Sequence, residues 1–470
     1  MGYRAYPQYR DSGVEWFGRV PSHWQESRLK WTTESLKNGV WGSEPGGDDD
    51  DLYCIRVADF DRTRLAITPD NLTLRSIPGK DRAGRLLSRG DLLIEKSGGG
   101  DKQLVGVVVE YTLDEPAVCS NFIGALATAP RMHNRYLAYL HAHLYHTRVN
   151  YRSIKQSTGI QNLDAQAYFD ELVFYPDVEE QERIAGFIDH KAAQIDRLIE
   201  KKQALLEKLE EQRISAITQA VTGGLDDSAP MQDSGIEWLG KIPAHWKTVA
   251  ARHLIAKIEQ GWSPLCEGRP AAPDEWAVLK SGCVNGGIFK ESEQKALPSD
   301  LSAPRELEVK PGDILMCRAS GSRHLIGSVA RVESCREKMI FSDKTYRIVL
   351  EESLIAPEFF TLSMLAKYMR EQIELSISGA EGLANNIPQS LVKSYLFVLP
   401  GIEEQLLIAG KLKNIAMKKE QQKLAVTAAI DLLQEYRTAL ITAAVTGQID
   451  VRDWQAPAAT PVPATDMEVA

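Results

Sequence analysis

The amino-acid sequence contains one long unit twice. Residues 11–24 read Asp-Ser-Gly-Val-Glu-Trp-Phe-Gly-Arg-Val-Pro-Ser-His-Trp and return as 233–246, with nine of the fourteen positions identical and five conservatively replaced. Three shorter segments recur in the same order: 90–94 with 312–316, 179–186 with 403–410, and 220–223 with 444–447. A period of about 220 residues is far above the ~20–50 residues of solenoids and propellers. The sequence therefore predicts a tandem duplication, in which two similar domains, here called heads, bind two similar targets.

Each copy divides into a head and a helix. Residues 1–178 and 226–402 mix short apolar runs with Gly, Pro and Asp, as mixed α/β (α+β) domains do, whereas 179–221 and 403–445 contain no proline and one glycine each. We therefore expect two α/β heads, 1–178 and 226–402, and two long helices, 179–225 and 403–450. Residues 451–470 are rich in Pro and Ala and are predicted to be disordered.

The two long helices are expected to pair with each other. The first carries an amphipathic stripe from Ile184 to Leu209, and the second carries a similar stripe interrupted by a polar run at 417–423. A narrow apolar stripe needs a partner, so an antiparallel coiled coil is the simplest solution. The alternative is that each helix packs on its own head. A helix of this length is ~65 Å long, which corresponds to ~19 base pairs of B-DNA.

The charge of the chain is acidic and evenly spread. The net charge is −9, with 21 basic and 23 acidic side chains in residues 1–178 and 20 and 23 in residues 226–402. A protein that binds nucleic acid alone usually has a basic face, so this balance disfavours tight autonomous DNA binding but permits binding shared with basic partners. Six cysteines without CxxC spacing, no apolar run of transmembrane length and no signal peptide indicate a cytoplasmic protein.

Two loops in each head carry side chains suited to DNA. A buried strand is followed by a polar, cationic loop, at 95–102 in the first head and at 317–324 in the second; amide-rich segments, 155–163 and 376–388, come before the last strand of each head. Cationic side chains neutralise phosphates, and Asn and Gln can pair with adenine. These residue types also suit ordinary turns. The candidate DNA-binding residues are Lys96, Ser97, Lys102, Lys155, Gln156, Thr158, Gln161, Asn162, Arg318, Ser320, Ser322, Arg323, Asn385 and Asn386.

The sequence offers no convincing catalytic or metal site. It has no His-Glu-x-x-His, Gly-x-Ser-x-Gly or Gly-x-Gly-x-x-Gly motif, and no Asn/Asp-Pro-Pro-aromatic motif of amino-methyltransferases. His23 and His245 lack neighbouring ligands at metal-binding spacing, so they and the adjacent tryptophans are interpreted as packing residues. The acidic segments 179–181 and 403–405 are better explained by the preference of helix N-termini for carboxylates than by a nuclease site.

These same segments make the chain resemble the specificity (S) subunits of type I restriction-modification systems. The resemblance rests on the head openers 11–24 and 233–246, the helix starts at 176–185 and 400–409, and the Ala-Val-Thr-Gly helix ends, and it covers nearly the whole chain. It implies two target recognition domains that each read half of a bipartite DNA site. It also implies helices that set the gap and dock two methyltransferase (M) subunits.

The resemblance further implies a subunit without catalysis or cofactors of its own. S-adenosylmethionine is expected on the M subunits, and ATP and Mg on a restriction (R) subunit where one joins. The alternatives are a modification-only system, a recognition module of a fused enzyme, and a duplicated protein-binding scaffold that bridges two partners without reading DNA. The loops differ between the heads, as two different half-sites require, so the family gives no residue-level assignment of base contacts.

Overall fold

The computed structural model describes residues 3–100, 103–157, 159–236, 239–378 and 385–455, with the backbone alone at Ser157. Most of the segment 451–470, which the sequence predicts to be disordered, lies outside these ranges. The chain divides into two compact units, residues 1–201 with 428–470 and residues 202–427. Each unit therefore contains one head and parts of both long helices. The predicted mixture of α-helix and β-strand is confirmed.

The first unit contains sixteen strands in its described part. They are β1 (Tyr9–Asp11), β2 (Arg19–Pro21), β3 (Gln25–Arg28), β4 (Thr33–Asn38), β5 (Asp51–Ile55), β6 (Phe60–Asp61), β7 (Ala66–Ile67), β8 (Leu74–Ser76), β9 (Leu92–Glu95), β10 (Ser97–Gly98), β11 (Val108–Glu110), β12 (Ala117–Cys119), β13 (Ile123–Thr128), β14 (Ile154–Ser157), β15 (Ile160–Leu163) and β16 (Leu172–Tyr175). Its helices are α1 (Gly79–Arg82), α2 (Asn134–His146) and α3 (Ala165–Phe169), followed by the long helix α4 (Val178–Gly223).

The second unit repeats this order with fewer strands among its described residues. They are β17 (Met231–Asp233), β18 (Lys241–Pro243), β19 (Lys247–Ala250), β20 (Ile255–Gln260), β21 (Ala277–Leu279), β22 (Gln294–Ala296), β23 (Ile314–Cys317), β24 (Ala319–Ser320), β25 (Val329–Arg331), β26 (Met339–Phe341), β27 (Thr345–Leu350), β28 (Asn385–Asn386) and β29 (Leu396–Leu399). Its helices are α5 (Pro357–Leu365), α6 (Lys367–Ser376) and α7 (Gln389–Val392), followed by the long helix α8 (Ile402–Val445).

The sheets repeat in both topology and register. The first unit has the order β4-β13-β9-β11-β7-β6, and the second has β20-β27-β23-β25. A smaller sheet follows the same rule, as β12-β5-β8 in one unit and β26-β21-β22 in the other. Ile123 lies opposite Glu95 in the first unit, and Thr345 lies opposite Cys317 in the second. Both partners occupy corresponding positions of the two copies, so the duplication seen in the sequence extends to individual strand pairs.

Buried central strands form the core of each head. All four residues of β9 and of β23 are buried, which fits strands covered on both faces. Helix α2 covers the first sheet with a run of buried residues from Tyr136 to Leu144. In the second unit, Phe360 stacks on Phe397 with ring centroids 5.1 Å apart. Apolar burial of this kind stabilises each head by about 25 cal/mol per Å² of surface removed from water.

The two long helices contain 46 and 44 residues. The first helix begins beside Asp177, whose side chain accepts a hydrogen bond from the amide of Glu180 at 2.9 Å. Within the first unit, Asp196 of α4 forms an ion pair with Arg437 of α8 at 3.1 Å. Within the second unit, Glu210 of α4 forms one with Lys423 of α8 at 3.1 Å. In both units a segment of one long helix thus contacts a segment of the other.

Candidate nucleic-acid interface

The opener motif of the first head fastens that head to the start of α4. Glu180 is buried, and its carboxylate accepts hydrogen bonds from Tyr6 Oη at 2.6 Å and from Trp24 Nε1 at 3.0 Å. A ring nitrogen of His23 lies 2.9 Å from the other carboxylate oxygen. Burial and the neighbouring carboxylate both raise the pKa of Tyr6. The motif therefore has a structural role, as the sequence interpretation of its histidine and tryptophan predicted.

The second head repeats this arrangement on α8. Glu404 accepts from Trp246 Nε1 at 3.0 Å, and a ring nitrogen of His245 lies 2.9 Å from the same carboxylate. The next residue of each helix, Gln181 or Gln405, donates to a proline carbonyl, at 2.9 and 3.0 Å respectively. These bonds explain why Glu-Glu-Gln recurs, and they occupy carboxylates that a nuclease site would need free.

The helix ends complete the same junctions. Gly447, which follows α8, packs so closely in the first unit that an added Cβ would overlap Pro21, and Gly224, which follows α4, has space in the second unit for a Cβ only at a tight 3.3 Å from the ring of Trp246. The φ angle is +73° at Gly447 and +80° at Gly224. Glycine is favoured after a helix C-terminus because it adopts this left-handed conformation without strain. Each head is therefore closed by the end of the other copy's helix.

The two candidate loops of the first head lie side by side. Strand β10 pairs with β15, so that Ser97 lies opposite Asn162 and Gly98 opposite Gln161. Ser97 Oγ donates to Asn162 Oδ1 at 2.6 Å. Strand β14 continues this small sheet and places Gln156 opposite Gln161. Two segments that are far apart in the sequence thus form one polar surface.

The second head brings its two candidate segments together in the same register. Strand β24 pairs with β28, so that Ala319 lies opposite Asn386 and Ser320 opposite Asn385. These pairs correspond to those of the first head when the two copies of the repeat are aligned. The amide of Ser322 donates to Ser320 Oγ at 3.1 Å, and Arg323 donates to the carbonyl of Glu374 at 3.2 Å.

The individual candidates differ in how available they are to a ligand. Asn162, Gln156, Lys155, Ser322 and Arg323 are exposed. Lys155 forms an ion pair with Asp164 at 2.7 Å and holds the pKa of that carboxyl below its usual range.

Two candidate amides are buried instead. Gln161 is 3% exposed and accepts a hydrogen bond from the amide of Val105, and Asn385 is 9% exposed. The buried position of both side chains means that any contact that they make with a base requires a rearrangement. Arg318 is half-buried, donates to the carbonyl of Asp343 at 3.1 Å and lies over the ring of Tyr346. Lys102 and Thr158 lie outside the described residues.

The candidate Lys96 belongs to a cluster of cations beside β10, whose other members, Lys37 and Arg85, are not among the candidates from the sequence. Lys96 Nζ donates to the side-chain oxygen of Asn38, and Arg85 Nε donates to the main-chain oxygen of the same residue at 3.2 Å. Lys37 Nζ lies near Gly84, in the loop before Arg85. Burial lowers the pKa of Lys96. Among the described residues, none of these three cations forms an ion pair, so they remain available to an anion.

A cavity elsewhere in the first unit shows the opposite charge arrangement. Its volume is about 630 Å³. Three of its four arginines are paired with carboxylates: Arg135 with Asp189 at 2.9 Å, Arg437 with Asp196 at 3.1 Å, and Arg64 with Glu200 at 2.8 Å. Charges that neutralise one another in this way leave little for an external anion. The cluster at Lys37, Arg85 and Lys96 is therefore better suited to an external anion than this cavity is.

No helix among the described residues is long and apolar enough to cross a membrane. Within the same residues, no group of three or more His, Cys, Asp or Glu side chains is arranged to hold a metal ion.

Comparison with known proteins supports the resemblance noted from the motifs. The chain is 22% identical over 448 residues to the StySPI specificity subunit of Salmonella potsdam, covering 93% of this chain and 92% of that one. It is 22% identical over 458 residues to the EcoKI specificity subunit of Escherichia coli strain K12, with the same coverage. It is 28% identical over 220 residues to the EcoEI specificity subunit of Escherichia coli, a match that spans 47% of this chain and 36% of that relative.

The fold is similar to that of a solved structure. A solved chain from work on complex assembly and conformational transition of the type I R-M system superposes with a TM-score of 0.61 at 15% identity, covering 91% of this chain and 98% of that one. No protein-family model matches the chain. The resemblance predicted from the sequence is thereby confirmed: over most of its length this chain is similar to the specificity subunits of type I restriction enzymes.

Proposed function

We propose that this chain is the sequence-specific DNA-recognition subunit of a cytoplasmic type I restriction-modification complex. Each head reads one half of a bipartite site, and the long helices set the gap between the halves. The observation that carries the proposal is the repeated pairing of β10 with β15 and of β24 with β28, which presents the two candidate loops together in each head. Loop cations fix the register on phosphates, and exposed polar side chains contact base edges.

The proposal assigns catalysis to partner subunits. The two long helices pair as an antiparallel coiled coil, and two M subunits dock on them. The M subunits carry S-adenosylmethionine and methylate a flipped adenine in each half-site. An R subunit with ATP and Mg joins where cleavage occurs. The contacts between α4 and α8 within each unit support helix pairing. The net charge of −9 supports a division of labour in which partners supply much of the positive charge that DNA binding needs.

A genome-wide map of adenine methylation tests this proposal. The chain is expressed with its M subunit in a host that lacks adenine methylation. We expect one split motif, two short defined sequences around a fixed unspecified gap, and exchange of residues 1–178 for another head should change one half only. An M subunit expressed alone is the control. An assembled complex that leaves no motif would contradict DNA recognition and favour the protein-binding scaffold, which the even charge balance of the heads also suits.

A further inference from the structure

A tight turn beside the β10 ladder presents Phe122 at the surface of the first head. The carbonyl of Phe122 accepts hydrogen bonds from two consecutive amides, those of Lys96 at 2.8 Å and Ser97 at 3.2 Å. The turn is closed by the amide of Ile123, which donates to the carbonyl of Ser120 at 2.9 Å. Residue 122 is therefore fixed directly against the loop that carries the candidate DNA-binding residues.

The second head builds the same turn around Lys344. Its carbonyl accepts from the amides of Arg318 at 2.9 Å and Ala319 at 3.3 Å, and the amide of Thr345 donates to the carbonyl of Ser342 at 3.0 Å. Each of these positions is the counterpart of one in the first head when the two copies of the repeat are aligned. The backbone of the turn is thus the same in both heads.

A glycine fixes the inner side of each turn. Gly39 donates to the carbonyl of Ile123 at 3.1 Å, and Gly261 donates to that of Thr345 at 3.3 Å. A Cβ on Gly39 would overlap the carbonyl oxygens of Cys119 and Ser120, and a Cβ on Gly261 would overlap those of Phe341 and Ser342. The close approach leaves no room for the turn to shift inward.

The outward side chain is what differs between the two turns. Phe122 is 46% exposed and so presents an apolar ring to solvent. It stands next to Lys96, one of the three cations that lack an ion pair among the described residues. Lys344 is also exposed and also forms no ion pair within the described part of the chain. Two heads with the same backbone therefore present an apolar group and a cation at one position.

We propose that Phe122 and Lys344 are specificity-determining residues that contact base edges in their respective half-sites. This inference rests on the proposed function and deepens it. Phe122 contacts the C5-methyl group of a thymine, the apolar feature of the major groove. Lys344 donates to O6 and N7 of a guanine, which are acceptors in that groove. The difference between these two side chains contributes to the difference between the half-sites.

The experiment measures the affinity of the purified complex of this chain with its M subunits for duplexes carrying the methylated motif. Each thymine of the first half-site is replaced in turn by uracil, which lacks only the methyl group. We expect one replacement to weaken wild-type binding about fourfold, the value of one buried methyl group. That sensitivity should vanish in Phe122→Ala and persist in Phe122→Leu. In the other half-site, each guanine is replaced in turn by 7-deazaguanine, and we expect one replacement to weaken wild-type binding about tenfold. Lys344→Ala should lose this sensitivity.

The control variant is Trp31→Ala, which removes another exposed aromatic of the first head, before the opposite end of β4. It should retain the wild-type response to uracil, and each variant should keep the wild-type melting temperature. If the binding of Phe122→Ala responds to every uracil as that of the wild type does, the assignment of Phe122 is overturned. If the binding of Lys344→Ala responds to every 7-deazaguanine as that of the wild type does, the assignment of Lys344 is overturned. If the wild-type complex shows no preference for any motif, the proposed function itself fails, and the inference falls with it.

Discussion

A single carboxylate joins each head to its helix, and Glu180, which is buried, is the clearer case. Its side chain is 5% exposed and accepts hydrogen bonds from Tyr6 and Trp24, both of which are buried. Removing the carboxylate leaves both donors without a partner, and each unsatisfied buried group costs about 1–3 kcal/mol. Glu180→Ala should therefore destabilise the first unit by about 2–5 kcal/mol, measured by urea unfolding of the full chain.

Glu179 provides the matched control for this measurement. It precedes Glu180 in the same helical turn, but its side chain is 84% exposed and contacts only Arg183 among the described residues. Glu179→Ala removes a favourable interaction with the helix dipole, about 0.3–1 kcal/mol. Glu404→Ala should fall between the two, because the Glu404 side chain is 33% exposed. Equal losses for Glu179→Ala and Glu180→Ala would show that the buried hydrogen bonds contribute nothing beyond the dipole.

The turns at residues 120–123 and 342–345 are the elements that position the proposed base contacts, so they should respond to backbone crowding. Gly39→Ala forces the new Cβ into the carbonyls of Cys119 and Ser120. Overpacking of this kind costs about 1–3 kcal/mol. We also expect a shifted turn to weaken recognition of the first half-site while leaving the second unchanged, as measured by binding to duplexes with either half scrambled.

Gly79→Ala separates this effect from a general loss of glycine. A Cβ at Gly79 meets no atom within 4 Å, and the residue starts the short helix α1 in the same unit. The substitution should leave both stability and half-site recognition near wild type. If Gly39→Ala loses stability but reads both halves normally, the turn has a packing role only.

Much of this architecture is predictable at the level of elements, and the reason is the repeat. Every segment could be compared with a second copy, so the helix starts and the post-strand loops stood out without any structure. The pairing of β10 with β15 was beyond such reasoning, because strands of two to four residues carry no periodic pattern. The burial of individual candidates could not be predicted from the sequence either. Gln161 and Asn162 are adjacent amides, yet only Asn162 is exposed, because alternate residues of a strand face opposite sides.

Phe122 and Lys344, the proposed base contacts, are not among the candidates from the sequence for a related reason. Those candidates lie in loops rich in polar groups, whereas Phe122 is apolar and lies in a short turn between β12 and β13. The one available signal was the difference between the copies at a position flanked by similar residues, with Ser-Asn-Phe-Ile in one and Ser-Asp-Lys-Thr in the other. A difference of this kind becomes informative only when the structure shows that the backbone is the same.

At the scale of the whole molecule, charge decides how the chain can bind DNA. The net charge is −9, and among the described residues near β10 three cations, Lys37, Arg85 and Lys96, lack an ion pair. Each phosphate contact releases counterions and contributes about 0.9 to the slope of log K against log salt. A few contacts from this chain give a shallow slope and weak binding. The complex with M subunits should bind more tightly and with a steeper slope, because the partners add further phosphate contacts.

Substitution of a single cation tests whether this chain contributes phosphate contacts of its own. Lys37→Ala in the assembled complex should reduce the magnitude of the salt slope by about 0.9 and weaken binding to matched and scrambled duplexes equally, since a phosphate contact carries no base information. Lys155→Ala serves as the comparison. This substitution should change the slope less, because Lys155 is already paired with Asp164. Fluorescence anisotropy across a series of salt concentrations measures both. A slope unchanged by Lys37→Ala would show that Lys37 makes no phosphate contact in the assembled complex.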